Sequence, residues 1–525
     1  MAGGTAAAVS LAGCGSDGEG GDGDGGGTDD GNDSDGGDEG DEMQEEFEVR
    51  ITQGQMPSGL DPHDHRETPT DVVMLHAYEG VLSRDAQGAV VEKLATEYER
   101  VEDGHVRFSV REDVQFHNGD DLTPEDVAYS INRIVQEDVG FASPQRDQLA
   151  GVTGAEATDD ERAVDVMSDG LNPVVFQEFA TYCDVMQQSW VEDRSKDDVG
   201  KEMNGTGPFV LEDYSEDEEV VMSRNEDYWR DPADVSDLTF TAAEEASTRV
   251  NQLLNEETDV VVNVPPQEVG RIQGDDVTRI AAAPSTRVIY NAMRYDVEPF
   301  DSQEFRQAMN YAVDLESIVS NVLDGFGERT GQPTLDGFVG YNSDVDPYPY
   351  DPEQAEQLVE ESGYAGAEIE LHTPVGRYLK DLEIAQAVAG FIDELDNVSA
   401  SVNQRDFGAL VDELLTGNIE DKPPWYLIGW GEATFDGGLV ITALLTTDGA
   451  LSSYSDEEVD RMMAEASSQA AEEREQTIQE LNAMLHERAP WIYLNRQYSV
   501  YGASERVEWE ARSDERIDAY EMSPK

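Results

Sequence analysis

The 525-residue chain is predicted to be an α/β protein. Three observations predict that class. Strand-like and helix-like stretches alternate from Phe47 onward. The helix-like stretches open on capping residues and carry one apolar face. No internal repeat and no second low-complexity segment interrupts the alternation. The length predicts either roughly three domains or one large bilobed body, at about 150 residues per domain. Either way it allows a sizeable core.

The elements can be justified in chain order. Val106-Arg107-Phe108-Ser109-Val110 alternates apolar and polar residues, as a half-buried strand should. Thr123-Pro124-Glu125-Asp126 opens a helix: Thr caps, Pro takes the first helical position and acids fill the first turn. Val127, Ile131, Ile134 and Val135 give that helix its apolar face. Arg287 to Met293 reads as a buried strand. Phe305, Ala308, Met309 and Ala312 mark the next helix, and Asp314 caps the one after it, which ends near Gly325. Asp351-Pro352-Glu353-Gln354 repeats the opening pattern, with Ala355, Leu358 and Val359 as the buried face and Gly363 as the stop. Leu382 starts a helix, and Tyr426 to Trp430 reads as a second buried strand. Ser455 and Glu458 read as a capping box ahead of Val459, Met462, Met463 and Ala466.

Charge excludes whole classes of function. Asp and Glu number 115 against 34 Lys and Arg, a net −81. Nucleic-acid binding through phosphate neutralisation needs a basic face, and docking on anionic lipid needs a polybasic patch. Residues 15–46 hold 14 acids and no base, a small part of the total, so the folded part is itself acidic. Lysine occurs only six times; arginine supplies the other 28 positive charges. Such self-repulsion destabilises a compact state in dilute buffer, whereas the Debye length of about 3 Å at 1 M salt screens it. The chain therefore reads as a protein of a salt-rich environment. Two cysteines exclude a disulfide framework and a cysteine zinc ribbon, and Cys183 reads as a buried thiol. No run reaches the roughly 18 apolar residues of a membrane span.

The N-terminus reads as an address followed by a tether. Leu11-Ala12-Gly13-Cys14 resembles a lipobox, in which the cysteine thiol is acylated. The basic n-region is missing, so residues 1–14 read as a truncated signal peptide. Residues 15–46 are Gly- and Asp-rich, cannot bury enough surface to fold, and read as a disordered, self-repelling linker. Two acyl groups are expected at Cys14, because one chain holds a membrane only marginally. This plan places the body outside the cell, anchored to the outer face of the cytoplasmic membrane.

Six blocks, in order, resemble the family-5 extracellular solute-binding proteins, the dipeptide, oligopeptide and nickel receptors of ABC importers. They are Gly59-Leu60-Asp61-Pro62 with Tyr78-Glu79-Gly80-Val81-Leu82; Val110 to Gly119 with Leu122 to Val127; Gly205-Thr206-Gly207-Pro208-Phe209 with Arg224 to Trp229; Phe305 to Asp314; Tyr350 to Ala355 with Gly363-Tyr364; and Leu427-Ile428-Gly429-Trp430. Together they cover about 48–500, and with the charge they point to a haloarchaeal member.

The resemblance implies a class II bilobed periplasmic-binding-protein (Venus flytrap) fold with an extra subdomain in lobe 1. The expected division is 47–285 for lobe 1 (inserted subdomain about 76–190), 286–494 for lobe 2, and 495–525 for a C-terminal return to lobe 1. Gly205 and Gly207 are expected to permit a tight turn on re-entry to lobe 1. Hinged lobes close on a ligand, and a cleft needs a few fixed polar groups on an apolar lining.

The candidate ligand residues are Gly429, Trp430, Glu432 and Asp436 on one loop, Arg377 on another, Tyr290 and Asn291 near the hinge, and Tyr78 and Glu79 on the first-lobe wall. Arg377 suits a ligand carboxylate, or else pairs with a nearby surface acid. Trp425 reads as core. In peptide-binding relatives an aspartate three residues after the tryptophan pairs with the ligand ammonium; here that position is Ala433, flanked by Glu432 and Asp436. His63 and His65 have the look of a metal site but lack a third ligand pattern, so no metal or cofactor is expected.

No GxSxG, HExxH or Cys–His motif supports catalysis, so no enzyme activity is expected. The expected function is a monomeric, lipid-anchored receptor that captures a small solute, a short peptide above all, and delivers it to ABC permease subunits. A sugar, an oligosaccharide, a nickel chelate or a chemosensory role are the alternatives.

Overall fold

The computed structural model describes residues 46–149, 151–158, 162–416, 418–449, 451–469 and 471–525. The lipobox with Cys14 and all but the last residue of the acidic linker lie outside the described residues.

The framework is one mixed sheet of eleven strands. Across it run Val398–Arg405, Ala367–Pro374, Trp425–Gly431, Thr278–Met293, Trp491–Ser504, Val260–Val261, Glu48–Gln53, Asp237–Ala242, Glu219–Arg224 and Phe209–Ser215. Gly327–Arg329 also pairs with Trp491–Ser504. Thr278–Met293 and Trp491–Ser504 are far longer than the rest, at 16 and 14 residues. They run antiparallel and belong to both halves of the molecule. The Tyr290 end pairs with Trp425–Gly431, while the Ser504 end pairs with Val260–Val261.

Two cores follow from this sharing. Val288 to Met293 and Trp491 to Leu494 lie in the second-lobe core with Phe305, Met309, Ile384 and Trp425. Ala281, Tyr501 and Ala503, on the same two strands, lie in the first-lobe core with Ile51, Phe209, Phe240 and Trp509. Strand pairing breaks between Pro284 and Val288, between the two cores. A bulge there loosens the ladder and increases local twist.

A separate four-stranded antiparallel sheet runs Ala95–Glu102, His105–Val110, Ala163–Ser168, Val152–Ala157. Helix Pro124–Val135 covers it, and Phe108, Val127, Ile131 and Val166 fill the core between them. The predicted cap is present: Thr123 Oγ1 accepts from Asp126 N–H, and the Asp126 carboxylate accepts from Thr123 N–H.

Most start and stop signals act as read. Asp351 accepts from Gln354 N–H at 3.0 Å, and Gly363 takes φ +82° just past helix Pro352–Ser362. Asp314 accepts from Ser317 N–H. Two readings are corrected. Asp456, not Ser455, caps helix Glu457–Ser467, accepting from Glu458 and Val459 N–H. The carboxylate is the stronger acceptor, and the Ser455 hydroxyl pairs with Thr447 instead. Gly205 and Gly207 are needed for close approach, not for a turn: any Cβ there would collide with the backbone of His76 and Ala77.

Candidate ligand cleft

A cleft of about 880 Å³ opens where the two halves of the sheet meet. One wall comes from the first lobe, with Thr68, Pro69 and Val72 on helix Thr68–Ala77 and the start of helix Pro266–Gln273. The opposite wall is the loop from Val375 to Asp381, and Gln497 to Tyr501 of the long strand complete the lining.

Backbone hydrogen bonds to one side chain fix the 375–381 loop. Asp381 is buried, and its carboxylate accepts from three successive amides, those of Gly376, Arg377 and Tyr378, at 2.8–3.1 Å. Gly376 adopts φ +80°, which glycine allows at no steric cost. The Tyr378 hydroxyl donates to the Gly429 carbonyl at 3.2 Å. A Cβ on Gly429 would strike Ile289 and the Tyr378 ring, so Gly429 acts through packing. Arg377 is left exposed on this frame. Its guanidinium carbon stands 5.0 Å from the Phe407 ring centre and 5.3 Å from that of Tyr378. Arg287, on the long strand, lies 5.9 Å from the same tyrosine. Among the described residues no carboxylate makes an ion pair with either arginine, although both line the cleft.

The loop after Trp425–Gly431 has a different fate. Asp436 is fully buried, held by Arg474 through two bonds of 2.6 and 2.7 Å, and caps helix Gly437–Leu445 by accepting from Leu439 N–H. It is therefore a structural ion pair, not a ligand contact. Glu432 accepts from the Thr434 amide and hydroxyl, and burial raises its pKa. The Ala433 and Thr434 carbonyls accept from first-lobe residues, Thr181 at 3.3 Å and Arg84 at 2.8 Å. Phe435 packs against Gly88 and Arg84. The lobes thus meet at this loop, with Trp430 half-buried just before it.

Tyr182 stands between the lobes at this junction. Its phenol is held neutral by burial first, then by the charges of Glu432 from the second lobe and Asp71 from the first. Asp71, in the first turn of helix Thr68–Ala77, has an exposed side chain 3.8 Å from His65. Desolvation first, and Asp184 second, push its pKa up to about 7. Only its place in a helical first turn marked Asp71 in the sequence. Arg287 opens the predicted strand and has no acid beside it in sequence, the one signal that could have marked it.

The remaining candidates are internal. Tyr78 is buried, its hydroxyl accepting from Asn204 N–H. Glu79 is buried and saturated: Thr206, Tyr228 and Trp229 donate to it at 2.7–2.8 Å, and Lys93 lies 3.0 Å away. Tyr290 stacks on Trp491 at 3.7 Å between ring centres, inside the second-lobe core. Asn291 is fully buried with no protein partner for either amide atom. Tyr290 and Asn291 are corrected to the second-lobe interior, whereas Tyr78 and Glu79 line a small first-lobe cavity apart from the interlobe cleft. Trp425 is core, as read. His63 bonds to the Asp184 carbonyl, and burial lowers its pKa to about 3. Among the described residues no group of three His, Cys, Asp or Glu side chains is placed to hold a metal. Nor is any helix long and apolar enough to cross a membrane.

Residues 89–451 match the family described as bacterial extracellular solute-binding proteins, family 5. The chain belongs to that family. This family-5 protein is accordingly a solute-binding component of ABC transport and not an enzyme. It is 23% identical over 463 residues to heme-binding protein A of Haemophilus influenzae, covering 81% of this chain and 82% of that one. It is 22% identical over 471 residues to the glutathione-binding protein GsiB of Escherichia coli, covering 85% and 88%. The structure of the periplasmic binding protein DppA of Helicobacter pylori, in complex with the peptide STSA, superposes with a TM-score of 0.70 at 18% identity, covering 91% and 98%. That likeness shows the shared bilobed α/β fold.

Proposed function

We propose that this protein is a lipid-anchored, monomeric receptor that captures a short peptide between its lobes and passes it to an ABC permease. One observation carries the ligand class. Arg377 and Arg287 flank Tyr378 in the cleft without a carboxylate partner, in a chain where acids outnumber bases 115 to 34. An arginine left unpaired amid such an excess of acid is available for a ligand carboxylate, which its planar fork fits in bidentate fashion. Asp71 and Glu432, whose charges both act on Tyr182, are the groups available for the ligand ammonium, in place of the aspartate absent at Ala433. The peptide complex of the H. pylori protein supports the same class.

Calorimetry in multimolar salt tests it. Di- to tetrapeptides are compared with the same peptides amidated at the C-terminus. Amidation is expected to weaken binding about 10- to 100-fold, the worth of a charge-assisted contact. Equal affinity for both forms, or no peptide binding, would overturn the proposal.

A further inference from the structure

A second cavity, of about 640 Å³, lies wholly within the first lobe, between the Leu82–Glu92 segment, Trp229 and the C-terminal residues 512–521. Six basic residues line it: Arg84, Lys93, Arg111, Arg230, Arg512 and Arg516. Three acids share the lining, Glu92, Asp518 and Glu521. The cavity thus reverses the balance of a chain in which acids exceed bases more than threefold.

Part of this charge is already used. Arg512 is held by Asp514 and Glu521, and Lys93 by Glu79. Arg84 donates to the carbonyls of Gly88, Gln177 and Thr434. The rest is not neutralised. Arg111 and Arg230 make no ion pair among the described residues. Arg516 reaches Ser83 and the Ala180 carbonyl and is 3.9 Å from an aspartate that Arg512 already holds.

The unpaired groups are also preorganised. Trp229 is fixed by its Nε1–H bond to Glu79. The guanidinium carbons of Arg111 and Arg230 stand 4.6 and 5.6 Å from its ring centre, and Arg230 lies 5.2 Å from the Tyr520 ring. Aromatic stacking holds each guanidinium in place; Arg111 spends only its Nε–H, on the Lys93 carbonyl at 3.1 Å, and Arg230 bonds Tyr228, which leaves their remaining N–H donors for a ligand. Two such groups beside Arg516, in a concave site, match a multivalent oxyanion.

We propose that this cavity is a binding site for a small free oxyanion of the phosphate or sulfate type, separate from the interlobe cleft. A doubly charged ligand on several forked donors keeps geometric specificity against chloride at high salt, where long-range attraction is screened.

The test uses the whole protein and inorganic phosphate at constant ionic strength set by KCl, read by calorimetry and by tryptophan fluorescence. Saturable uptake at one site is expected, with a fluorescence change that disappears in Trp229→Phe. Arg111→Ala/Arg230→Ala is expected to lose about tenfold affinity or more. Arg230→Ala alone, at an exposed side chain, is expected to weaken uptake without lowering the melting temperature, which covers a double variant that fails to fold. Arg377→Ala is expected to leave phosphate uptake unchanged. Non-saturable uptake, uptake indifferent to Arg230→Ala, or uptake lost in Arg377→Ala would overturn the proposal. So would capture of phosphatidylglycerol vesicles without a response to free phosphate, because the site would then serve a lipid headgroup.

Discussion

Two loops of the second lobe carry charged residues, one lining the interlobe cleft and one at the contact between the lobes, and the structure uses them in opposite ways. Between Val375 and Asp381 the one buried carboxylate, Asp381, is consumed by backbone amides, which leaves Arg377 unopposed. Between Glu432 and Asp436 the more conspicuous acid, Asp436, is consumed by Arg474 and a helix terminus. Availability to a ligand therefore depends on which neighbour has already claimed the charge. Residue type and position in the loop do not decide it.

The sharpest way to break this contrast is Asp436→Ala. It leaves Arg474 buried and unpaired, and about 3–5 kcal/mol of stability should be lost in denaturant unfolding. A loss under about 1 kcal/mol would mean that the pair is dispensable and that Asp436 is free after all. Arg377→Ala should do the reverse. Peptide affinity by calorimetry should fall about 10- to 100-fold, while unfolding stability stays within about 0.5 kcal/mol. Glu432→Gln keeps an acceptor for Thr434 and removes the charge. A loss of roughly tenfold in affinity for peptides with a free amine is expected, and none for N-acetylated ones.

The smallest effect is a pH dependence at the junction where the lobes meet. Glu178 is buried, accepts from Asn172, and is held up to about 8 by burial and by the charges of Asp436 and Glu432. A carboxyl raised in the folded state stabilises fully below its ordinary value near 4.5, and that contribution is lost as pH rises through 4.5 to about 8. Glu178→Gln should flatten the fall in melting temperature across that window. An unchanged slope would show that Glu178 does not titrate there.

What was legible in the sequence was local. The caps at Thr123, Asp314 and Asp351 and the stop at Gly363 act within a few residues, so the sequence states them directly. Arg287 to Met293 was legible as a buried strand, but not its continuation back to Thr278, because alanine is a poor strand former and Pro284 reads as an interruption. Glu79 was misplaced because its partners Thr206, Tyr228 and Trp229 lie about 130–150 residues away. Asp436 was misplaced because Arg474, 38 residues on, sits on another element. Family resemblance pointed to both loops; only three-dimensional neighbours revealed which of their charges are already paired.

The two long strands carry a consequence for how the chain is made. The first-lobe core opens with Phe47 and Val49 but is closed by Tyr501, Val507, Trp509 and Met522. A ribosome that has delivered three-quarters of the polypeptide has therefore delivered no finished first lobe, since the strand that should lie beside Val260–Val261 does not yet exist. Contacts of such long sequence separation close late. The first-lobe core is therefore completed only when the last residues of the chain are present.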